Sequence, residues 1–281
     1  MTTVSVIIPT KDRLKLLDRA VRSACDACDD NDEIIVVNDH SHRPITPVIE
    51  AIQDVRVRLL DLPEGSTGVS AARNAGIIAS SKDVIMFLDD DDEFRKCYPG
   101  FIAGIASKHA DYGFSSYLTC RANTSTLSRI RLPNGLIHPN TAFKKMSFGF
   151  GMGFWMHKRI VDHIGLLDTD LTINEDTDYA CRLNAVGARG WYSCKPGVVI
   201  HEHTPNSDGQ LAHITHRVSS EERARCMRVL CEGYPNLVAH LGRGYISHCL
   251  KAGFTVIPPF VGLFETRTTR PFGTGSVSWR V

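Results

Sequence analysis

The sequence predicts an α/β protein in which a mostly parallel sheet is flanked by helices. Short β-branched segments alternate with amphipathic segments in the first part of the chain, and this β-α-β-α-β-α-β order is typical of a parallel sheet with helices on both faces. The strand segments are almost continuously apolar, as expected for strands that are covered on both sides. Polar residues follow several of them, at the strand ends where ligands bind in such sheets.

The first four predicted strands are short and are bounded by polar or turn-forming residues. We predict strands at 4–8, 34–37, 57–60 and 84–88, separated by helices at 14–24, 48–52 and 68–79. The apolar residues of the first helix recur at helical spacing, at Leu14, Leu17, Val21 and Ala24. Aspartate is depleted in strands, so the fourth strand should end at about Asp89.

Four consecutive aspartates, at 89–92, follow the fourth strand without a spacer. Like charges at this density repel one another, and their pKa values would rise unless a cation neutralised them. Carboxylate oxygens suit magnesium, manganese or calcium, so the run predicts a divalent-metal site. A solvated acidic turn is the alternative, because runs of charge often mark exposed segments. The first strand leads to Thr10 and the second to Asp39, and both would share this crevice if the strands adjoin.

The pattern changes after residue 94. We predict helices at 98–107 and 157–164 and strands at 112–118, 126–132, 191–193 and 198–200. The segment at 133–150 is rich in Gly, Asn and Lys, and we interpret it as a mobile loop. Helices predicted at 219–232 and 236–250 carry several arginines and would form a C-terminal appendage, followed by a mixed tail at 253–281.

The stretch at 172–187 predicts a helix with an acidic first turn. Asn174 is a candidate cap, and Glu175, Asp176 and Asp178 follow where the helix dipole favours negative groups. Capping alone would explain one or two acidic residues. Three of them are more than capping requires, so this turn is a candidate functional site.

The other motifs are weaker or exclude a function. His203 is a candidate ligand for a metal or a phosphate, although a histidine is more often structural. Cys25 and Cys28 form a CxxC without a second pair at metal-ligand spacing. Neither GxGxxG after the first strand nor GxxxxGK[ST] is present, so the dinucleotide and P-loop interpretations lose their motif support.

Composition predicts a soluble globular protein. The chain has 281 residues, of which 43% are hydrophobic and 22% charged, and its formal net charge of +1 gives no general attraction to nucleic acid. Nine cysteines, an odd number, favour reduced thiols in the cytoplasm. We expect no signal peptide, because strand-like sequence begins at Val4 without a charged leader. The apolar stretch at 253–264 is too short for a membrane-spanning helix, which needs about 20 residues.

Five motifs together resemble those of the family 2 glycosyltransferases. They read SVIIPTKDR, EIIVVNDHS, GVSAARNAGI, FLDDDDEF and NEDTDYACRL, and they follow in the order of that family between residues 4 and 207. The resemblance implies the GT-A fold and transfer from a nucleotide-sugar with inversion at the anomeric carbon. It also implies a catalytic domain at 1–210, with a nucleotide-binding half at 1–97 and an acceptor-side half at 98–210. Residues 211–281 would be the helical appendage and tail.

The resemblance assigns donor-binding roles to five residues. Pro9, Thr10 and Arg13 would border the nucleotide. Asp39 matches the acidic residue that hydrogen-bonds the nucleobase. Arg73 would contact the base or the diphosphate.

Catalysis and metal binding fall on five others. Asp89 and Asp91 match the two aspartates of the DxD motif, with Asp91 closest to a Mn²⁺ or Mg²⁺ ion. Asp90 would lie close to the donor sugar. Asp176 matches the catalytic base, and His203 resembles the histidine that closes over the metal and the diphosphate.

Two departures from the family pattern affect these assignments. The second motif usually reads VDDGS and here reads VNDHS, so Asn38 loses a charge and His40 replaces a glycine. Recognition of the base or the ribose would differ accordingly. The acidic run is four residues long, which leaves the choice of metal ligands open by one position.

The resemblance also suggests partners and a setting. It favours UDP as the nucleotide and a saccharide or lipid-linked saccharide as the acceptor, in surface polysaccharide synthesis. The basic C-terminal helices and the tail would attach the protein peripherally to the inner face of the cell membrane, or else pack and form a homodimer. Two alternative functions are a catalytically silent nucleotide- or carbohydrate-binding module and a sugar-phosphate nucleotidyltransferase. The nucleotidyltransferase would require a glycine-rich loop after the first strand, and the sequence PTKDR at that position contains no glycine.

Overall fold

The protein is described here from a computed structural model that covers residues 2–106, 110–121, 124–128, 132–138, 149–202 and 218–235, with short pieces at 241, 247–249, 251, 265–266 and 279–280. The chain divides into two compact units. The first contains residues 1–171 and 175–213, and the second contains residues 172–174 and 214–281.

Four parallel strands form the first half of the sheet in the larger unit. They are β1 (Val4–Thr10), β2 (Glu33–Asn38), β3 (Val57–Asp61) and β4 (Val84–Phe87), in the spatial order β3-β2-β1-β4. The connecting helices are α1 (Leu14–Ala27), α2 (Thr46–Glu50) and α3 (Val69–Ala79). The predicted order of strands and helices in this half is confirmed.

Strands β1, β2 and β4 are buried on both faces, which explains their continuous apolar sequence, whereas β3 lies at the edge of the sheet and is half-buried. Alternate side chains of β1 enter different cores: Val6 and Ile8 pack in the core that contains Leu17 of α1. Ile7 packs in the other core, together with Ile77 of α3. Every second residue of a strand points to the same face, so a strand covered on both sides is apolar except where a polar side chain finds a partner, as Ser5 does with Glu33 at 2.6 Å.

The second half of the sheet is mixed. Its elements are β5 (Glu93–Phe94), α4 (Tyr98–Ala106), β6 (Tyr112–Arg121), β7 (Thr124–Ser128), β8 (Gly135–Ile137), β9 (Trp155–His157), α5 (Val161–Ile164), α6 (Glu175–Ala185) and β10 (Gly190–His201). The spatial order continues β4-β9-β6-β10-β5, and β10 is parallel to β6. Strand β9 runs antiparallel to both β4 and β6, so it is a single reversed strand between two strands that run in the same direction.

Three local predictions differ from the structure. The strand at 155–157 was not predicted, because three residues are too few to show a period, and the helix expected from 157 begins as a 3₁₀ turn at Lys158–Ile160. The segment expected to be a loop at 133–150 contains β8, which pairs with β10, and residues 139–148 lie outside the described part of the chain. The strands expected at 191–193 and 198–200 form one strand, because β-bulges absorb the intervening residues.

The smaller unit contains helix α7 (Ser220–Gly233), close to the predicted span. Ser219 caps this helix by accepting a hydrogen bond from the backbone N–H of Glu222 at 3.2 Å, and Thr172 donates to the Glu222 carboxylate at 2.6 Å. Two short strands, β11 (Glu265–Thr266) and β12 (Trp279–Arg280), pair antiparallel. Most of the predicted helix at 236–250 and of the tail at 253–281 lies outside the described residues. Within the described ranges, every helix is too short or too polar to cross a bilayer.

Candidate active site

The acidic run forms a tight turn directly after β4. The backbone N–H of Asp92 donates to the carbonyl of Asp89 at 3.1 Å, which is the hydrogen bond of a four-residue turn. The turn gathers carboxylate oxygens of Asp89, Asp91 and Asp92 within 4.8 Å of one another. Asp90 points instead toward the end of β1. A buried turn with three converging carboxylates therefore replaces the solvated acidic segment that was the alternative interpretation.

Asp90 and Arg13 join the acidic turn to the end of β1. Thr10 Oγ1 donates to Asp90 Oδ2 at 2.7 Å, and Pro9 and Thr10 are the last residues of the strand. Arg13 Nη1 donates to Asp90 at 3.0 Å and to Asp91 at 2.9 Å. Burial raises the pKa of Asp90 to about 7, although the Arg13 charge and the Thr10 hydrogen bond favour its ionised form. Pro9, Thr10, Arg13, Asp90 and Asp91 thus form one contiguous group.

The carboxylates of Asp89, Asp91 and Asp92 have the chemistry of a divalent-metal site. Burial, followed by the negative charges of Asp89 and Asp91, raises the pKa of Asp92 well above its ordinary value. Mg²⁺ and Mn²⁺ prefer hard oxygen ligands, and a cation bound between these groups would remove their mutual repulsion. The residues therefore fit the metal that the family resemblance implies. His203, the other candidate ligand, lies outside the described residues.

Asp39 lies at the end of β2, beside the beginning of α3. Its carboxylate accepts hydrogen bonds from Thr67 Oγ1 at 2.9 Å and from the backbone N–H of Gly68 at 3.0 Å, and Lys11 Nζ lies 3.4 Å away. The position before α3 requires glycine, because Gly68 has a φ of 95°. Negative charge is favoured at a helix N-terminus, so Asp39 is held in place by both the loop and the helix.

The two residues that depart from the family motif have structural partners. Asn38 Nδ2 donates to Asp61 Oδ1 at 2.7 Å, and the Asn38 side-chain oxygen accepts from the backbone N–H of Ser41 at 3.0 Å. His40 adopts a φ of 52°, and its Nε2 lies 2.8 Å from the carbonyl of Ser66. Both residues therefore fix the loops around Asp39.

Arg73 connects the acidic turn to α6. Its Nη2 donates to Asp89 Oδ1 and its Nη1 to Glu175 Oε1, both at 2.8 Å. The buried guanidinium also lies 5.5 Å from the ring centre of Phe87 and 4.9 Å from that of Phe150. The resemblance implies a contact with the base or the diphosphate, whereas here both ends of the guanidinium fork are bound to carboxylates.

Asp176 follows Glu175 in the first turn of α6. Burial, together with the negative charge of Glu175, raises the pKa of Asp176 to about 6, although hydrogen bonds from Thr177 favour the ionised form. A Cβ atom added at Gly149 would lie 3.3 Å from Asp176 Oδ2, and one added at Gly151 would lie 3.3 Å from Asp89 Oδ2. The segment that leads into β9 therefore passes next to both carboxylates at its two glycine positions, which have no side chain.

The structure brings most of the predicted site residues into one chain of contacts. Thr10 and Arg13 bind the acidic turn, and the turn is joined through Arg73 to Glu175, the neighbour of Asp176. Sequence reasoning gave no separate role to two participants, Asp92 and Glu175, although both lie in stretches that it identified as candidate sites. Four consecutive acids identified the region, but which of them converge depends on the turn, and turn geometry is not visible in a run of identical residues.

Comparison with protein families identifies the class of enzyme. Residues 5–165, more than half of the chain, match the sequence profile described as glycosyl transferase family 2. The chain belongs to this family. The predicted resemblance is thus confirmed, and a glycosyltransferase is favoured over the silent binding module and the nucleotidyltransferase.

Two relatives have descriptive names. Succinoglycan biosynthesis protein ExoO of Rhizobium meliloti is 26% identical over 252 residues, which cover 84% of this chain and 72% of that protein. The GalNAc(5)-diNAcBac-PP-undecaprenol beta-1,3-glucosyltransferase of Campylobacter jejuni is 34% identical over 95 residues, which cover 33% of this chain. The match spans only 31% of the length of the Campylobacter protein.

A solved structure that resembles this chain is S. aureus TarS 1-349 in complex with UDP-GlcNAc. It superimposes with a TM-score of 0.70 at 16% sequence identity, over 94% of this chain and 76% of the TarS chain. The shared fold confirms the predicted GT-A architecture of a central sheet flanked by helices.

Proposed function

We propose that this family 2 glycosyltransferase is a metal-dependent, inverting enzyme. It would move a sugar from a UDP-sugar to a hydroxyl of a saccharide or lipid-linked saccharide during surface polysaccharide synthesis. The observation that carries the proposal is the ion-pair chain Asp89–Arg73–Glu175, which joins the acidic turn to the residue next to Asp176. These ion pairs fix the relative positions of two groups: a carboxylate suited to act as a base, and carboxylates suited to bind a cation.

Asp176 is the residue that would accept the proton. An acceptor hydroxyl has a pKa far above 7, so its proton must leave as the new C–O bond forms. A carboxyl with a pKa of about 6 is ionised at neutral pH and is a stronger base than an ordinary aspartate. Attack from the face opposite the leaving group gives inversion, and the single base required for it is provided by Asp176.

Asp89, Asp91 and Asp92 would hold Mn²⁺ or Mg²⁺. When bound, such an ion would act as a Lewis acid toward the negative charge of the departing nucleoside diphosphate. Arg13 supports this part of the site, because it holds Asp90 and Asp91 in position from the start of α1. Asp39 and Thr10, at the ends of adjacent strands, would border the nucleotide.

The choice of donor and acceptor is supported by the relatives. TarS binds UDP-GlcNAc on the same fold, which supports a UDP-sugar donor for this chain. The names of the Rhizobium and Campylobacter proteins refer to succinoglycan biosynthesis and to an undecaprenol-linked glycan. These names support a saccharide or lipid-linked saccharide as the acceptor.

The test is the substitution Asp176→Asn, which removes the base with little change in shape. We expect turnover of the UDP-sugar to fall by a factor of about 10² to 10⁴, whereas affinity for UDP with Mn²⁺ stays the same. Product formation and UDP release measure the first quantity, and titration calorimetry measures the second. Asp162→Asn, at an exposed acid on α5, is the matched control. Normal turnover by Asp176→Asn would show that another group accepts the proton.

A further inference from the structure

Asn74, the neighbour of Arg73 on α3, binds both backbone polar groups of a distant residue through the oxygen and the nitrogen of its side-chain amide. The Asn74 side-chain oxygen accepts from the backbone N–H of Leu167 at 2.8 Å, and its Nδ2 donates to the carbonyl of the same residue at 2.9 Å. The two residues are 93 positions apart and both are buried. A paired hydrogen bond of this kind fixes the orientation of Leu167 as well as its position, and losing it would leave buried backbone groups unsatisfied.

The turn that Asn74 holds is bound from its other side by α6. Arg182 Nη1 donates to the carbonyls of Ile164 at 2.8 Å and of Leu166 at 2.6 Å. The hydroxyl of Tyr179 donates to the carbonyl of Gly165 at 3.1 Å. The turn at 164–167 is therefore a rigid link between α3 and the middle of α6.

The same two helices are joined directly at the start of α6, where Arg73 binds Glu175. Consecutive residues of α3 thus hold α6 at two separate places, one at its first turn and one near its middle. The core packing of Tyr179 and Leu183 also holds this helix. The two attachments from α3 add directional hydrogen bonds to that packing, and they act on the helix that carries Asp176.

We propose that Asn74 is a positioning residue for the transfer step, which holds Asp176 in place through the turn at 164–167. This inference rests on the proposed role of Asp176 as the base. Asn74 makes no contact with Thr10, Arg13 or Asp39 in the hydrogen bonds of the described residues. Its loss should therefore affect turnover and leave nucleotide affinity unchanged.

The experiment compares the wild type with Asn74→Ala, Asn74→Asp and Asp32→Ala, each in the full chain. Asn74→Asp keeps an acceptor for the Leu167 N–H but loses the donor and sets a carboxylate against the Leu167 carbonyl. Asp32 is the matched control, because it also holds buried backbone, accepting from the Val4 N–H at 2.8 Å at the opposite end of β1.

Hydrogen exchange followed by mass spectrometry is the primary measurement. We expect exchange of the amides at 175–185 to accelerate about tenfold or more in both Asn74 variants, and to be unchanged in Asp32→Ala. The kcat for UDP-GlcNAc consumption with Mn²⁺ should fall about 10- to 100-fold in the Asn74 variants. The affinity for UDP with Mn²⁺ should stay within twofold of the wild-type value by the same titration.

The outcomes separate this inference from the proposed function. Unchanged exchange at 175–185 in the Asn74 variants would overturn the positioning role, as would an equal loss of kcat in Asp32→Ala. Loss of UDP affinity in step with kcat would also overturn it. A wild-type protein that does not consume UDP-GlcNAc would count against the proposed donor, while the exchange result would still decide whether Asn74 holds α6.

Discussion

At the scale of single residues, the site depends on the different surroundings of two adjacent carboxylates. Glu175 and Asp176 are neighbours in the chain, yet only Glu175 is bound to Arg73. After burial, the negative charge of Glu175 is the next reason why the pKa of Asp176 is raised to about 6. In the proposed mechanism, Glu175 anchors the turn and Asp176 accepts the proton.

This division predicts the effect of Glu175→Gln on the pH dependence of turnover. The base acts when deprotonated, so wild-type kcat should rise through about pH 6 and level off above it. Glutamine keeps an oxygen that accepts from Arg73 but removes the charge that raises the pKa of Asp176. The acid limb of the pH profile should then move to lower pH by about one unit. A pH–kcat profile of both proteins is the measurement, and an unmoved limb would show that Glu175 does not tune the base.

At the scale of elements, α3 organises the site because it lies unusually close to the sheet. Gly76 allows this approach, since a Cβ atom at that position would overlap with Cγ2 of Ile7 on β1. The same helix carries Arg73 and Asn74, which reach α6, and it begins beside Asp39. Displacing α3 would therefore disturb both the nucleotide side and the base side of the site.

We expect Gly76→Ala to reduce the free energy of unfolding by about 1–3 kcal/mol, because the added methyl group forces α3 away from β1. Turnover should fall with it, since Arg73 and Asn74 move with the helix. Gly104→Ala is the matched control, because a Cβ atom there meets nothing within 4 Å and alanine favours the helix. Urea denaturation of the three proteins measures the effect. Equal stability of Gly76→Ala and the wild type would mean that α3 is not held by close packing.

The sequence predicts some elements better than others, because some owe their conformation to local sequence and others to distant partners. Strands such as β1 and β4 are covered on both faces, so their apolar runs are visible without knowledge of their partners. Strand β9 has three residues and owes its conformation to the two strands beside it, which local sequence does not contain. The pair of hydrogen bonds between Asn74 and Leu167 cannot be predicted from local sequence for the same reason, because the two residues are 93 positions apart.

At the scale of the whole molecule, ligand binding and folding share the same groups. In the folded chain a tight turn directs the carboxylates of Asp89, Asp91 and Asp92 toward one another, where their negative charges repel. A cation and a nucleotide diphosphate that bind the folded state alone would raise its stability by mass action. A ligand-induced rise in the thermal stability of the protein therefore reports binding at the proposed donor site.

We expect UDP with Mn²⁺ to raise Tm by several degrees, corresponding to about 2.7 kcal/mol at a hundred times Kd. GDP, dTDP, CDP and ADP should give smaller shifts, and a chelator should abolish the effect of UDP. Asp92→Asn should also lose the Mn²⁺-dependent shift, whereas Asp162→Asn should keep it. A thermal-shift panel is the measurement. The absence of any metal-dependent shift across the five nucleotides would argue against the metal site and against UDP.

The reversed strand β9 gives this architecture a capacity for divergence. It separates the four parallel strands that lead to Thr10, Asp39 and the acidic turn from the mixed strands β6, β7, β8 and β10. Substitutions or insertions in the mixed strands can therefore leave the ends of the four parallel strands in place. Such changes must keep the attachments from Arg73 and Asn74, which link α3 to α6.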